Sequence, residues 1–325
     1  MRINFNLSKS YPAGWCMVGR TGCNARLSNT SYAAQPYSGR NIFYAEECVT
    51  RLADFVGTQS MADLYDRYWV PAALDVFARE LAKRVQPGTH VLDLGTGTGL
   101  VAGYASERAG PAGEVTGLDP TTDLLGAARA KQFSGAHVSW IEGSGEEMPF
   151  EDASFDIVLC HQGLQYVTDR EATFSEIKRV LKPGGQLHAG VWSSADRQPA
   201  FGFVEDSLGS HIGADQKPIH AWSFGGQEEL RRLAEGAGLT IERLETVEHP
   251  WRFDSIQQFI DVQIACAGRT DENGKLAMGL VDLDDESWLP AIDAFGKDAH
   301  AALGSFVSHS GLSAPFASDE MSAKA

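Results

Sequence analysis

The stretch that most constrains this chain is Val91-Leu92-Asp93-Leu94-Gly95-Thr96-Gly97-Thr98-Gly99-Leu100. An apolar run enters, three alternate glycines follow, and a helical pattern leaves. Residues 91–94 read as a buried strand of a parallel sheet. Gly95, Gly97 and Gly99 let the backbone turn tightly and present its amides at a helix N-terminus. Such a turn holds a ligand whose polar parts lie close against the main chain. It is not the dinucleotide spacing G-x-G-x-x-G, because the third glycine of that pattern would fall at Leu100.

Around this loop the chain alternates. Strand patterns cover residues 90–94, 114–118, 137–141, 155–160 and 186–192, with helical patterns between them. The second strand ends in Asp119, and Thr121 or Thr122 caps the helix that follows. Phe174, Ile177 and Leu181 give the helix before the fifth strand its inner face, and Lys182-Pro183-Gly184-Gly185 stops it. Strict alternation predicts an α/β fold, a doubly wound, mostly parallel sheet with helices on both faces. Ligands in such sheets sit outside the carboxyl ends of the strands.

The flanks are less regular. Residues 1–45 hold Arg2, Lys9, Arg20, Arg26 and Arg40 with no Asp or Glu, and lack helical or strand periodicity. They read as a disordered extension, with an upstream start or a transit peptide as alternatives. Residues 46–88 form a helical cap in which Val70, Leu74, Phe77, Leu81 and Val85 make one apolar stripe, Pro71 fits a first turn and Pro87-Gly88 ends the element. Residues 89–195 form the ligand-binding core. Residues 196–224 lose the rhythm and read as an insertion, a lid or acceptor pocket over the strand ends. Residues 225–325 add helices at 227–238, 255–267 and 284–303, a strand at 239–247 and a last strand within 304–316. The tail after Asp319 reads as frayed.

Composition narrows the class. The net charge of −16 makes phosphate backbones poor partners, so no nucleic-acid substrate is expected. No apolar run approaches the roughly 20 residues that span a bilayer. The five cysteines, Cys16, Cys23, Cys48, Cys160 and Cys266, are odd in number and form no C-x-x-C, which argues against a disulfide framework or a zinc site and for a reducing, cytoplasmic setting. Oligomeric state is not readable.

Four motifs in order carry a resemblance. Asp93-x-Gly95-x-Gly97-x-Gly99 resembles the first motif of class I S-adenosylmethionine-dependent methyltransferases. Asp119 stands at the end of the second strand. The stretch Glu142-Gly143-Ser144-Gly145-Glu146-Glu147-Met148-Pro149-Phe150 resembles the adenine-framing segment, although Ser144-Gly145 replaces the usual Asp-Ala. Phe155-Asp156-Ile157-Val158-Leu159-Cys160-His161-Gln162-Gly163-Leu164-Gln165-Tyr166, followed by residues 176–185, resembles the small-molecule branch that contains quinone-biosynthesis and natural-product methyltransferases. The resemblance covers roughly residues 62–195 and implies a Rossmann-like, seven-stranded sheet, S-adenosylmethionine as cofactor and a small, apolar or aromatic methyl acceptor.

It also implies roles. Asp93 braces the loop near the cofactor's ammonium. Gly95, Thr96, Gly97, Thr98 and Gly99 carry the methionine and ribose end, Asp119 and Pro120 the ribose, and Ser144, Gly145 and Glu146 the adenine. Tyr65 or Tyr68, in a helix that closes over the cofactor, touches the methionine end. His161 faces the reacting centre. Its ordinary pKa of about 6.5 makes it the first candidate base, the alternative being a contact to the cofactor's amino acid part through its backbone. His211 and His220 are weaker candidates. His90, His137, His188, His249, His300 and His309 read as structural, and Cys160 as a small core residue. Trp192, Trp222, Phe201 and Phe203 can line an aromatic pocket or simply pack. No Asn/Asp-Pro-Pro-aromatic motif and no acidic metal ligands follow the fourth strand, so neither amino-group chemistry on adenine or glutamine nor metal-dependent catechol chemistry is expected. Two rivals remain: the same fold binding S-adenosylmethionine for another end, and a nicotinamide oxidoreductase.

Overall fold

The computed structural model describes Phe55 and residues 60–194, 197–198, 200, 203, 207, 210, 224, 226–266, 268–270, 276–278 and 289–325, and within these leaves some side chains of 266–289 undescribed. The expected extension at 1–45, most of the insertion at 196–224, and Phe201, His211, His220 and Trp222 lie outside the described residues. All described residues belong to the compact unit Pro36–Ala325.

Parallel pairing builds the first part of the sheet. Strands β1 (His90–Leu94), β2 (Glu114–Asp119), β3 (His137–Glu142), β4 (Phe155–His161) and β5 (Leu181–Trp192) lie in the order β3-β2-β1-β4-β5. Helices α3 (Leu100–Ala109), α4 (Thr122–Ala130) and α5 (Arg170–Val180) connect them. The strands bury both faces. Leu92, Val158, Cys160 and Leu187 pack against Phe174 and Ile177 of α5, while Val91, Ile157 and Leu159 pack against Val101, Ala102 and Ala105 of α3. β5 begins at Leu181, five residues before the expected start, so the Pro-Gly-Gly segment ends the helix but runs within the strand.

Ahead of the sheet, Ser60 and Asp63 close a capping box on α1 (Met61–Leu64). The chain continues as a ten-residue π-helix, Tyr65–Leu74, and then as α2 (Asp75–Ala82). Pro71 therefore stands inside a helix and not in a first turn. The wide turns accommodate it: the Asp75 amide reaches back five residues to the Val70 carbonyl. π-Helical turns concentrate at functional sites, and this one is hydrogen-bonded to the glycine loop described below. The expected stripe is observed, with Leu74, Phe77, Leu81 and Val85 buried and Val70 partly so.

The C-terminal half departs most from expectation. After α6 (Gly226–Gly236), strand β6 runs from Thr240 to Phe253, six residues beyond the expected end. α7 (Ile256–Cys266), the short hairpin β7–β8 (Gly268–Thr270, Leu276–Met278), α8 (Leu289–Leu303) and β9 (Val307–Ser308) follow. The last strand is β10 (Gly311–Lys324), which begins inside the expected 304–316, runs on through the residues after Asp319 expected to fray, and lies antiparallel between β5 and β6. The reason is alternation: Met321 and Ala323 join the α5–α6 face with Leu187 and Ala189. Phe316, two residues before Ser318, joins the opposite face with Trp192, Trp251 and Phe253, under α7 and α8. Among the described residues, no helix is long and apolar enough to cross a membrane.

A strand in the sheet interior responds to truncation as core. Met321→Ala is expected to cost about 2–5 kcal/mol of unfolding free energy in urea. A loss within about 0.5 kcal/mol, the usual range for a surface site, contradicts this placement.

Candidate functional site

The glycine loop leaves β1 in an unusual shape. Gly95, Gly97 and Gly99 have φ values of 70°, 55° and 82°. At Gly95 a Cβ would lie 3.2 Å from the Gly163 Cα, so the ends of β1 and β4 meet backbone to backbone. At Gly99 it would lie 2.7 Å from the Trp140 ring. Over Gly97 nothing lies within 4 Å, an open cradle above the loop.

Two buried carboxylates hold that shape. Asp93 accepts from the Thr96 hydroxyl at 2.6 Å and from the Ala102 amide at 2.9 Å, pinning both the loop and the first turn of α3. Burial outweighs these bonds and pushes its carboxyl up to about 7. Asp119, at the end of β2, accepts from the Gly97 amide and the Thr121 amide, each at 2.8 Å. Burial raises its pKa as well, while both amides oppose the rise. Each of its oxygens keeps a lone pair for a further donor. Pro120 is exposed beside it.

The π-helix is tied across this loop. Asp66 accepts from the Thr98 hydroxyl at 2.5 Å and pairs with Lys131 at 2.6 Å, and Lys131 also donates to the Thr98 carbonyl at 2.7 Å. Neither Asp66 nor Lys131 is conspicuous in the sequence, because they lie far from Thr98 along the chain. Tyr65 is partly buried, and its hydroxyl pKa is raised first by burial and then by the charges of neighbouring groups, including Asp119 and Asp93. Tyr68 instead packs against Phe55 with ring centroids 4.8 Å apart, under the Arg67 guanidinium. Of the two tyrosines, Tyr65 is therefore the one close to the loop's carboxylates.

After β3, the Ser144 hydroxyl accepts from the Glu146 amide at 3.1 Å and donates to the Glu146 carboxylate at 3.1 Å. The same carboxylate accepts from the amides of Thr168 and Asp169 at 2.6 and 2.8 Å. Glu146 thus serves the loop that leads into α5, and Ser144 serves Glu146. Gly145 is buried, and a Cβ there would meet Leu94 at 3.2 Å.

The end of β4 is aromatic on one side and amide-rich on the other. His161 lies between Phe77, stacked at 6.5 Å, and Trp192, edge-on at 6.2 Å. Burial pushes its imidazole down to about 4, well below the ordinary value, so it is neutral at neutral pH and a weak base. Its Nε2 is buried with no hydrogen-bond partner among the described residues. Gln162 adopts a left-handed backbone, φ 58°, a conformation uncommon outside glycine. Its side chain accepts from Gln165 at 3.1 Å and donates to Ser318 at 3.0 Å. Cys160 is buried with its thiol pushed up to about 12 by burial, which suits a core residue and not a nucleophile. Phe203 stacks on Phe295 at 5.6 Å. His188 bonds Ser322 at 2.7 Å and His249 packs edge-on to Phe77 at 5.1 Å. Among the described residues, no three His, Cys, Asp or Glu are grouped to hold a metal ion.

Residues 92–189 match the family described as "Methyltransferase domain". Demethylmenaquinone methyltransferase of Staphylococcus aureus strain JH9 is 35% identical over 176 residues, which cover 50% of this chain and 72% of that protein. The protein of strain Newman aligns with the same figures. Among solved structures, the YcgJ protein of Bacillus subtilis is 18% identical with a TM-score of 0.48, covering 77% of this chain and 97% of that one. By its sequence relatives, this chain belongs to the class I S-adenosylmethionine-dependent methyltransferases and resembles the quinone-biosynthesis enzymes among them.

Proposed function

We propose that this methyltransferase moves the methyl group of S-adenosylmethionine onto a small aromatic acceptor of phenol or quinol type. The observation that carries this reading is the aromatic wall at the end of β4 and β5, where Phe77, Trp192 and Phe316 surround the side of the sheet that bears His161. The name of the Staphylococcus aureus relative, a demethylmenaquinone methyltransferase, supports the same acceptor class.

The residues present fit the cofactor. The open space over Gly97 takes a ligand against the backbone, and Asp119 can accept both hydroxyls of a ribose through its remaining lone pairs. Asp93 and Thr96 shape the loop from beneath, Gly95, Thr98 and Gly99 complete it, and Pro120 flanks the ribose. With the Glu146 and Ser144 side chains bonded to each other and to the loop before α5, the backbone of Gly145 is left to meet the adenine edge. Tyr65 covers the methionine end, and Tyr68 of the same π-helix packs against Phe55. His161 lines the place where the acceptor lies. When bound, the cofactor supplies a sulfonium methyl whose leaving group is a neutral thioether, so the chain needs no acid there. Alignment of the acceptor between aromatic walls then contributes most of the rate.

Two substitutions test the binding roles. Asp119→Ala is expected to weaken S-adenosylhomocysteine binding by about 1.5–3 kcal/mol, a charge-assisted hydrogen-bond loss. Calorimetric titration of a variant whose circular dichroism matches the wild type checks it, and unchanged affinity removes Asp119 from the ribose. Asp66→Ala releases the π-helix from Thr98 and Lys131, and is expected to speed S-adenosylhomocysteine dissociation up to about fivefold, the reach of a part-exposed ion pair. Stopped-flow displacement reads that rate, and an unchanged rate means the clasp does not gate the site. For the acceptor class, tritiated S-adenosylmethionine with a panel of phenols and reduced naphthoquinones should give organic-extractable label. Tight cofactor binding with no label on any member contradicts the phenol or quinol reading.

A further inference from the structure

We propose that Glu320 is the proton acceptor of the methyl-transfer site, placed by β10 over Gly190 and level with His161. This rests on the reading above, in which the acceptor loses a proton as its new bond to carbon forms. The register puts the groups in one row across the sheet: His161 pairs Gly190, and Gly190 pairs Glu320. With strands about 4.8 Å apart, His161 and Glu320 stand on the same face on either side of a residue with no side chain. The Glu320 carboxylate leans into that vacancy, since a Cβ on Gly190 would lie 2.6 Å from its Oε1. The row sits at the carboxyl ends of β4 and β5, where ligands of such sheets bind, and Glu320 keeps part of its surface accessible.

A directed chain of donors ends on this carboxylate. Gln165 donates to Gln162 at 3.1 Å, Gln162 donates to Ser318 at 3.0 Å, and Ser318 donates to Glu320 Oε1 at 2.6 Å. The Ser318 hydroxyl also lies 3.1 Å from the Val191 carbonyl, a second place for its single proton. Gln162 and Gln165 are themselves buried, and Gln162 holds its position at the cost of a left-handed backbone. Strain retained beside a reacting centre points to a role for the residue that bears it. Among the described residues, the other charged or titratable groups toward Glu320 include His188, two residues before Gly190 on β5 and bonded to Ser322. Glu245, its register partner on β6, is ion-paired to Arg243, and His249 lies further along the same strand. Asp319, next in sequence, hydrogen-bonds Thr246 at 2.6 Å.

Basicity selects Glu320 over His161. Burial pushes the Glu320 carboxyl up to about 7, whereas it pushes His161 down to about 4. A base works best when its pKa lies near the working pH. In the step, the acceptor's oxygen or carbon supplies the electron pair for the new bond to the methyl carbon. The carbon–sulfur bond gives its pair to sulfur, which leaves as a neutral thioether. The proton of the acceptor passes to the Glu320 carboxylate and then to water.

The test is the pH dependence of kcat/KM between about pH 5.5 and about pH 9, with a reduced, unmethylated naphthoquinone as acceptor. Wild type should show a rising inflection near pH 7; because Asp93 is also pushed up to about 7, S-adenosylhomocysteine affinity is followed over the same pH range to separate the loop's titration from that of Glu320. Glu320→Gln, which keeps the size and the bond from Ser318, should lower kcat about 100-fold and abolish the inflection, with S-adenosylhomocysteine affinity within about twofold. Ser318→Ala removes a bond to the charged carboxylate and should move the inflection upward, an effect that mere packing does not produce. His161→Gln should lower the rate without moving the inflection. A Glu320→Gln enzyme with wild-type rate and inflection overturns the proposal. If wild type methylates no quinol or phenol, the acceptor reading fails separately. Infrared titration of the wild type against Glu320→Gln then decides: a carboxylic acid band lost near pH 7 and absent from the variant upholds Glu320, and a carboxylate that stays ionised to about pH 5 overturns it.

Discussion

Everything at this site depends on a backbone that cannot hold its own shape. Three left-handed glycines within five residues have many alternatives open to them in an unfolded chain, and two buried carboxylates select one. Asp93 fastens the loop to the start of α3, and Asp119 fastens it to the end of β2. Buried carboxylates without partners are expensive, so the loop amides and the carboxylates stabilise each other. The close approach of Gly95 and Gly163 then brings the β4 end, with His161 and Gln162, to the same place. The glycine loop and the end of β4 are therefore parts of one packed unit, a consequence of glycine at both ends of the contact.

The C-terminal strand extends that unit. β10 arrives antiparallel between β5 and β6 and carries Phe316, Ser318 and Glu320 onto the face that bears His161 and Trp192. Its opposite face seals the core with Met321 and Ala323. A single alternating segment thus supplies packing on one side of the sheet and polar chemistry on the other. The π-helix packs on the same face, in one apolar cluster with Trp192 and Phe316, and Asp66 ties it to Thr98 and Lys131.

The parallel half of the fold is legible in the sequence because its information is local. Apolar runs that end in glycine, or in an acid before a helix cap, fix β1 to β4 to within one residue at either end. The loop, Asp119 and the β4 end are legible for the same reason. The start of the last strand is legible within 304–316, but its second half is hidden by its position: a short, polar-looking tail suggests fraying, although Met321 and Ala323 alternate with Glu320 and Ser322 in a pattern a strand would give. Pro71 misleads because a first turn is its commonest helical home, and a π-helix is rare enough to be passed over. Burial lowers the pKa of His161, and the burial comes from packing with residues such as Phe77 and Trp192 that no spacing relates to it. The ties of Asp66 to Thr98, and of Glu320 to Gln162 through Ser318, join residues far apart in the chain, so only the folded structure reveals them.

The most direct test of this account is a crystal structure of the protein with S-adenosylhomocysteine. The ligand should lie along the glycine loop, with both ribose hydroxyls on the Asp119 carboxylate, the adenine edge at the Gly145 backbone and the sulfur directed toward the side of the sheet that bears His161, Gly190 and Glu320. A ribose held by another residue, or a sulfur facing away from that row, contradicts it.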